Sequence, residues 1–226
     1  MTAHLARQLP SLLLSGLLLA GCATPQPPPS PPSAPDRAAT VAACPQGAGV
    51  MEGWDMPAPP QTLHANVHYV GTCGISAVLL TSAQGHILID GGTIAGAPAI
   101  AASIQSLGYR LQDIRYLLLS HEHEDHAGGL AALQQASGAV VVARPAALAT
   151  LRSGQAQGDD PQLGQLDDFP PLASLQTIEH GQSLRLGPLA LTAHATPGHA
   201  PGGTSWSWQS CQDGQCLDMV YADSLS

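Results

Sequence analysis

The sequence predicts an α/β fold with two sheets packed together and helices outside. Two observations carry this: a strand-helix-strand centre between Ile114 and Ala143, and strand-rich stretches on each side of it. A third is bulk, because 226 residues with 44% hydrophobic content are enough to bury one sizeable core. Periodicity alone also allows a single mixed sheet.

The chain opens with Arg7 and then an apolar run from Leu12 to Cys22. That run is too short to remain as a membrane-spanning helix and reads as an export signal over residues 1–22. Leu19-Ala20-Gly21-Cys22 resembles the bacterial lipobox, which makes Cys22 the expected lipidation site; ordinary cleavage is the alternative. The expected location is the periplasm, with anchoring to the outer membrane where Cys22 is lipidated. Residues 23–43 contain Pro25-Gln26-Pro27-Pro28-Pro29-Ser30-Pro31-Pro32, an extended polyproline linker rather than packed structure. The folded domain is expected over residues 44–226.

From Leu63 to Asp90 the chain reads as a β-meander, with strands at Val67–Val70, Gly74–Leu80 and His86–Asp90 between Gly-rich or polar turns. Ala97–Leu107 has helical apolar spacing, and Ile114–Leu119 is a short unbroken apolar run that suits a buried strand. Asp125–Gln135 reads as one helix, Val140–Ala143 as a strand, and Pro145–Leu151 as a helix opened by proline. Gly154–Pro171, rich in Gly, Asp, Gln and Pro, reads as a long loop of the kind that forms functional flaps. Strand patterns return at Ser183–Leu186, Leu189–His194, Thr204–Gln209 and Met219–Ala222.

Cys44, Cys73, Cys211 and Cys216 remain after the leader, an even number that suits an oxidising compartment. Three pairings exist. Cys211 and Cys216 flank Gln212-Asp213-Gly214-Gln215, whose Asp-Gly is a hairpin turn signal, so their sulfurs are expected to face each other across adjacent strands. That leaves Cys44 with Cys73. Both bridges are expected to brace the domain rather than to hold metal.

The chain has seven arginines and no lysine against 16 acidic residues, so no basic stripe exists to neutralise a phosphate backbone, and nucleic-acid binding is not expected. The net charge of −9 favours solubility, leaves a lipid anchor as the only expected membrane contact, and allows small neutral or weakly anionic substrates.

The chemistry concentrates in Ser120-His121-Glu122-His123-Glu124-Asp125-His126-Ala127-Gly128-Gly129, between a buried strand and the following helix. Three imidazoles and a carboxylate within six positions suit zinc, which takes nitrogen and oxygen ligands. On an extended segment His121 and His123 point the same way and can grip one ion. Asp125 and His126 turn away at the helix start, where they can hold a second. Pro197-Gly198-His199 supplies a third nitrogen for the first ion. His64, His68, His86, His180 and His194 lack such company and read as structural.

His121-x-His123-x-Asp125-His126 is similar to the motif of the metallo-β-lactamase superfamily. The stretches Val70-Gly71-Thr72-Cys73-Gly74-Ile75-Ser76-Ala77, Thr196-Pro197-Gly198-His199-Ala200-Pro201-Gly202-Gly203-Thr204-Ser205-Trp206 and Tyr221-Ala222-Asp223-Ser224-Leu225-Ser226 resemble subclass B3, and the cysteine placing resembles its disulfide-braced members. The resemblance implies an αββα sandwich with two zincs at one edge of the sheets. His121, His123 and His199 would hold the first; Asp125 and His126 would hold the second, with one more histidine that the family supplies nearer its C-terminus. That residue and the last strands and helix do not appear before Ser226, so a C-terminally incomplete domain, and at best a first-site mononuclear enzyme, is expected of the sequence as it stands.

The implied activity is zinc-dependent hydrolysis of the β-lactam amide bond by a metal-bound hydroxide that Asp125 orients, a route to antibiotic resistance. Ser224 stands where another subclass has a metal-binding cysteine, Ser226 resembles the serine that binds the substrate carboxylate, and Asp90 would buttress a ligand from behind. A monomer acting on small β-lactams is expected. The rivals are a lactonase or thioester hydrolase of the same superfamily, in which Asp223 would bridge both metals, and an inactive zinc-binding protein.

Overall fold

The computed structural model describes residues 43–45 and 51–224. The expected leader with Cys22, most of the linker, and Ser226 lie outside the described residues. No helix of the described residues is long and apolar enough to cross a membrane.

Seven strands form one sheet in chain order: β1 (Gln61–His64), β2 (Val67–Tyr69), β3 (Val78–Leu80), β4 (His86–Ile89), β5 (Ile114–Leu118), β6 (Val140–Ala143) and β7 (Leu175–Thr177). The first four pair antiparallel through short turns, whereas β4 to β7 are parallel. Parallel neighbours need a crossover, and helices supply it. The crossovers carry α1 (Ala97–Ser106), then α2 (Glu124–Ala127) with α3 (Leu130–Ser137), then α4 (Leu148–Ser153). A second sheet, ordered β11-β10-β9-β8, is antiparallel throughout: β8 (Ser183–Leu186), β9 (Leu189–Ala195), β10 (Thr204–Gln212) and β11 (Gln215–Tyr221).

The side-chain alternation of the central strands divides the core in two. Leu79, Leu88, Leu117 and Val141 face Ile100 and Ile104 of α1, Leu130 and Leu133 of α3, and Leu151 of α4. Their neighbours Val78, Leu80, Ile87, Ile89, Leu118 and Val142 face the other way, onto Leu184, Leu191, Trp206 and Trp208 of the second sheet. Strands buried on both faces explain the unbroken apolar runs in the sequence. Two packed sheets are thus observed, as expected, with all described helices layered against the larger sheet.

The expected helix Asp125–Gln135 is two helices. A Cβ at Gly129 would sit 2.1 Å from the Gly91 carbonyl oxygen, and the Gly129 amide donates to the Gly92 carbonyl at 2.9 Å. The chain must press against the loop after β4 here, and α2 ends at Gly128. Strands β1 and β7 are short additions that periodicity does not reveal, while β10 and β11 extend beyond Gln209 and before Met219 to form a long hairpin. Its two-residue turn has positive φ at Asp213 (52°) and Gly214 (80°), as a type I′ turn requires. Cys211 and Cys216 are cross-strand partners joined by a disulfide, and a second disulfide joins Cys44 to Cys73.

Candidate metal centre

The segment between β5 and α2 bends at Ser120, Glu122 and His123 and gathers the His121 and His123 rings, whose centroids lie 4.7 Å apart, before α2 places Asp125 and His126 beside them. Ligand atoms of His121, His123 and His199 lie within 4.8 Å of one another, and so do those of His121, Asp125 and His126. The turn Pro197–Gly203 brings His199 to the group from the second sheet, where the Thr204 amide donates to the Ser120 carbonyl at 2.7 Å. Every one of the five ligands expected from the sequence is therefore in one place.

Each motif histidine has a carboxylate against one ring nitrogen. Asp223 Oδ1 meets His121 Nδ1 at 3.0 Å, Asp160 Oδ2 meets His123 Nε2 at 3.0 Å, and Asp90 Oδ2 meets His126 Nδ1 at 2.7 Å. A carboxylate can only accept, so these nitrogens carry a proton, and at His121 and His123 the opposite nitrogens present lone pairs. His121 Nε2 is buried without a hydrogen-bond partner, and His123 Nδ1 faces His199 Nε2 at 3.2 Å. Burial holds His121 and His123 below the ordinary imidazole range, and so neutral. A buried orphaned nitrogen and neutral imidazoles converging on it fit a borderline divalent metal such as zinc.

The second group is charged differently. Burial would lower His126, but Asp90 and Asp125 outweigh it and raise it to about 10. Burial would raise the Asp125 carboxyl, but the hydrogen bond and charge of His126 hold it below its usual value. Asp125 Oδ2 lies 3.4 Å from His126 Nε2. A metal entering here replaces a proton between two ligands.

Asp90, fully buried at φ +64°, occupies a left-handed conformation that Asp tolerates better than most residues. Its carboxylate accepts from the Ser120 amide (2.6 Å), the Ser120 hydroxyl (2.8 Å) and the Tyr221 hydroxyl (2.8 Å), besides His126. Ser224 lines a cavity of about 420 Å³ shared with His126, Ser120 and Asp223. Glu122, between the two ligands, is only 1% exposed, and burial pushes its carboxyl up to about 7.

The loop 154–171 contributes two residues that the sequence reading left unassigned. Asp160 backs His123, and Gln162 Nε2 lies within 3.5 Å of both His199 nitrogens. The loop's composition marks it as a flap, but nothing in it marks these positions. The loop's Asp167 and Asp168 also line a cavity of about 570 Å³ together with Glu124, Trp54 and Ile94.

The family profile described as the metallo-beta-lactamase superfamily matches residues 70–214. The chain belongs to the metallo-β-lactamase superfamily. Within it, the chain is similar to the solved metallo-β-lactamase SMB-1 bound to 2-mercaptoethanesulfonate, at 53% identity and TM-score 0.75 over 76% of this chain and 67% of that one. It is also similar to MEM-A1, a subclass B3 enzyme from a soil metagenome library (49%, TM-score 0.75, 76% and 65%). MIM-1 from Novosphingobium pentaromativorans is 47% identical, with TM-score 0.77 over 79% and 66%. A curated relative, a hydroxyacylglutathione hydrolase of Anaeromyxobacter dehalogenans, is 31% identical over 58% of this chain and 41% of its own length. A ribonuclease of Thermus thermophilus is 33% identical over 66% of this chain and 35% of its own. The chain thus spans about a third to two-fifths of the curated superfamily relatives.

Proposed function

We propose that this metallo-β-lactamase-fold chain serves zinc-dependent hydrolysis of the β-lactam amide bond. The observation that carries the reading is the convergence of His121, His123 and His199 nitrogens in a chain about half identical to subclass B3 enzymes. His121, His123 and His199 would hold a first zinc, Asp125 and His126 a second. Zinc bound there would supply Lewis acidity and make water acidic near neutral pH.

The protein's own groups do the rest. Asp125, kept ionised by His126, orients the attacking water through its carboxylate. Asp223, Asp160 and Asp90 hold the protons at the far nitrogens of His121, His123 and His126, which keeps the near nitrogens basic. Ser226 is assigned to the substrate carboxylate, and Ser224 to the substrate-binding wall beside it. The Asp223 carboxylate is engaged with His121 Nδ1 and the Thr196 hydroxyl, which favours this reading over one in which it bridges two metals. Export through residues 1–22, lipidation at Cys22 and action as a monomer complete the proposal.

The test is hydrolysis of a chromogenic cephalosporin and a carbapenem by the full-length protein, with and without chelator. Turnover lost to chelator and restored by zinc supports the assignment. Turnover only of a lactone or a glutathione thioester would replace it with the superfamily alternative.

A further inference from the structure

We infer that Glu122 is a positioning residue that fixes the His199 turn against the His121–His123 segment, and that Gly202 is the part of that turn it holds. The inference rests on the metal-centre reading above.

Glu122 lies between two ligands, yet its side chain reaches Gly202 rather than joining the ligand group. It is 1% exposed, an unusual place for a carboxyl group. One oxygen, Oε1, accepts the Gly202 amide at 2.8 Å; the other, Oε2, is buried with no hydrogen-bond partner. Gly202 stands three residues after His199. Side chains and backbone therefore meet across the two loops that carry the first-site ligands, and Glu122 makes that contact from the strand side.

The fit is close. A Cβ at Gly202 would lie 2.3 Å from Glu122 Oε2 and 2.6 Å from the Ala147 Cβ, so only glycine lets the turn reach the carboxylate. The neighbouring Gly203 carbonyl accepts Arg144 Nη1 at 3.2 Å and the Thr196 amide at 2.9 Å, which closes the base of the turn. Besides the contact between the His123 and His199 rings, the hydrogen bond from Gly202 joins this turn directly to the His-x-His segment and does so through backbone rather than through a ligand. A buried amide left without an acceptor is costly, so removal of Oε1 should move the turn rather than leave the amide unpaired. His199 would move with it, while His121 and His123 keep their own carboxylate partners.

Glu122→Gln retains an oxygen acceptor at the same reach, whereas Glu122→Met retains the volume and removes the acceptor. First-site zinc affinity would be measured on the full-length protein by competition with a chromophoric chelator, and the ligand field by the visible spectrum after cobalt(II) substitution. The expected result is affinity within about threefold of the parent for Glu122→Gln, and a loss of roughly 10- to 100-fold with an altered cobalt spectrum for Glu122→Met. Gly202→Ala, which crowds the same contact, should reproduce the Met result. Parental affinity in Glu122→Met, or equal losses in the Gln and Met variants, would overturn the inference. Failure of the parent protein itself to bind zinc would instead remove the metal-centre reading, and this inference with it.

Discussion

Asp160 Oδ2 lies 3.0 Å from His123 Nε2, with both side chains buried, and joins the loop 154–171 to a candidate metal ligand from behind. The other Asp160 oxygen accepts the Gln162 amide at 2.8 Å, so the loop folds around this carboxylate. Asp160→Ala would leave the His123 Nε2 proton buried without an acceptor and free the ring to turn. Zinc affinity at the first site should fall roughly 10- to 100-fold, read by chelator competition, with a smaller fall for Asp160→Asn, whose amide oxygen can still accept. Unchanged affinity in the Ala variant would mean that the ring is held by packing alone.

Trp206 joins the two sheets. It is fully buried, and its indole donates to the Leu119 carbonyl at 3.0 Å, one residue before Ser120. Trp206→Ala should cost about 3–5 kcal/mol through the cavity it leaves. For a domain of this size that corresponds to a fall in melting temperature on the order of 10 °C. Trp206→Phe keeps most of the volume and should lose far less.

The two disulfides close loops of different length, with sequence separations of 29 for Cys44–Cys73 and 5 for Cys211–Cys216. If restriction of the unfolded chain dominates, the longer loop contributes more, by roughly 1.5 kcal/mol. Chemical denaturation of Cys44→Ser/Cys73→Ser and Cys211→Ser/Cys216→Ser variants should rank them in that order. The reverse order would point to folded-state effects at the exposed hairpin.

His68 and His86 sit buried around Tyr109, each ring centroid 5.1 Å from the Tyr109 ring. Burial lowers both below the ordinary 6.5, with the charge of His86 adding to the effect at His68. The unfolded chain therefore takes up protons as pH falls through about 6.5 while the folded chain does not, so stability is fully present above that pH and declines below it. Each group can contribute a slope of at most about 1.4 kcal/mol per pH unit. With zinc saturating, His86→Gln should flatten the decline in urea midpoint between neutral and mildly acid pH. An unchanged slope would show that other groups control it.

The candidate site was legible to the extent that its ligands are adjacent in the chain. His121, His123, Asp125 and His126 fall within six positions, and backbone geometry alone sends them to one place. His199 is distant, and its Pro-Gly-His turn became informative only beside that cluster. Asp160 and Gln162 were not legible as site residues, because an Asp in a polar loop has the same local pattern whether it faces water or the back of a histidine. The break in the helix after Asp125 was also hidden: Gly128-Gly129 can be tolerated within a helix, and only the approach of Gly91 and Gly92 forces the split.

What the amino-acid order determines by itself here is local: the two-residue alternation of His121 and His123, the Asp213-Gly214 turn that sets Cys211 against Cys216, and the apolar runs that demand a buried sheet. Which nitrogen of each histidine is free, which carboxylate stands behind it, and which buried glutamate grips the His199 turn were decided by the tertiary structure. Those contacts join residues as far apart as Asp90 and Tyr221, at 2.8 Å. Chain order does not encode them locally, because they exist only once the two sheets have packed and excluded water from the polar groups between their ends.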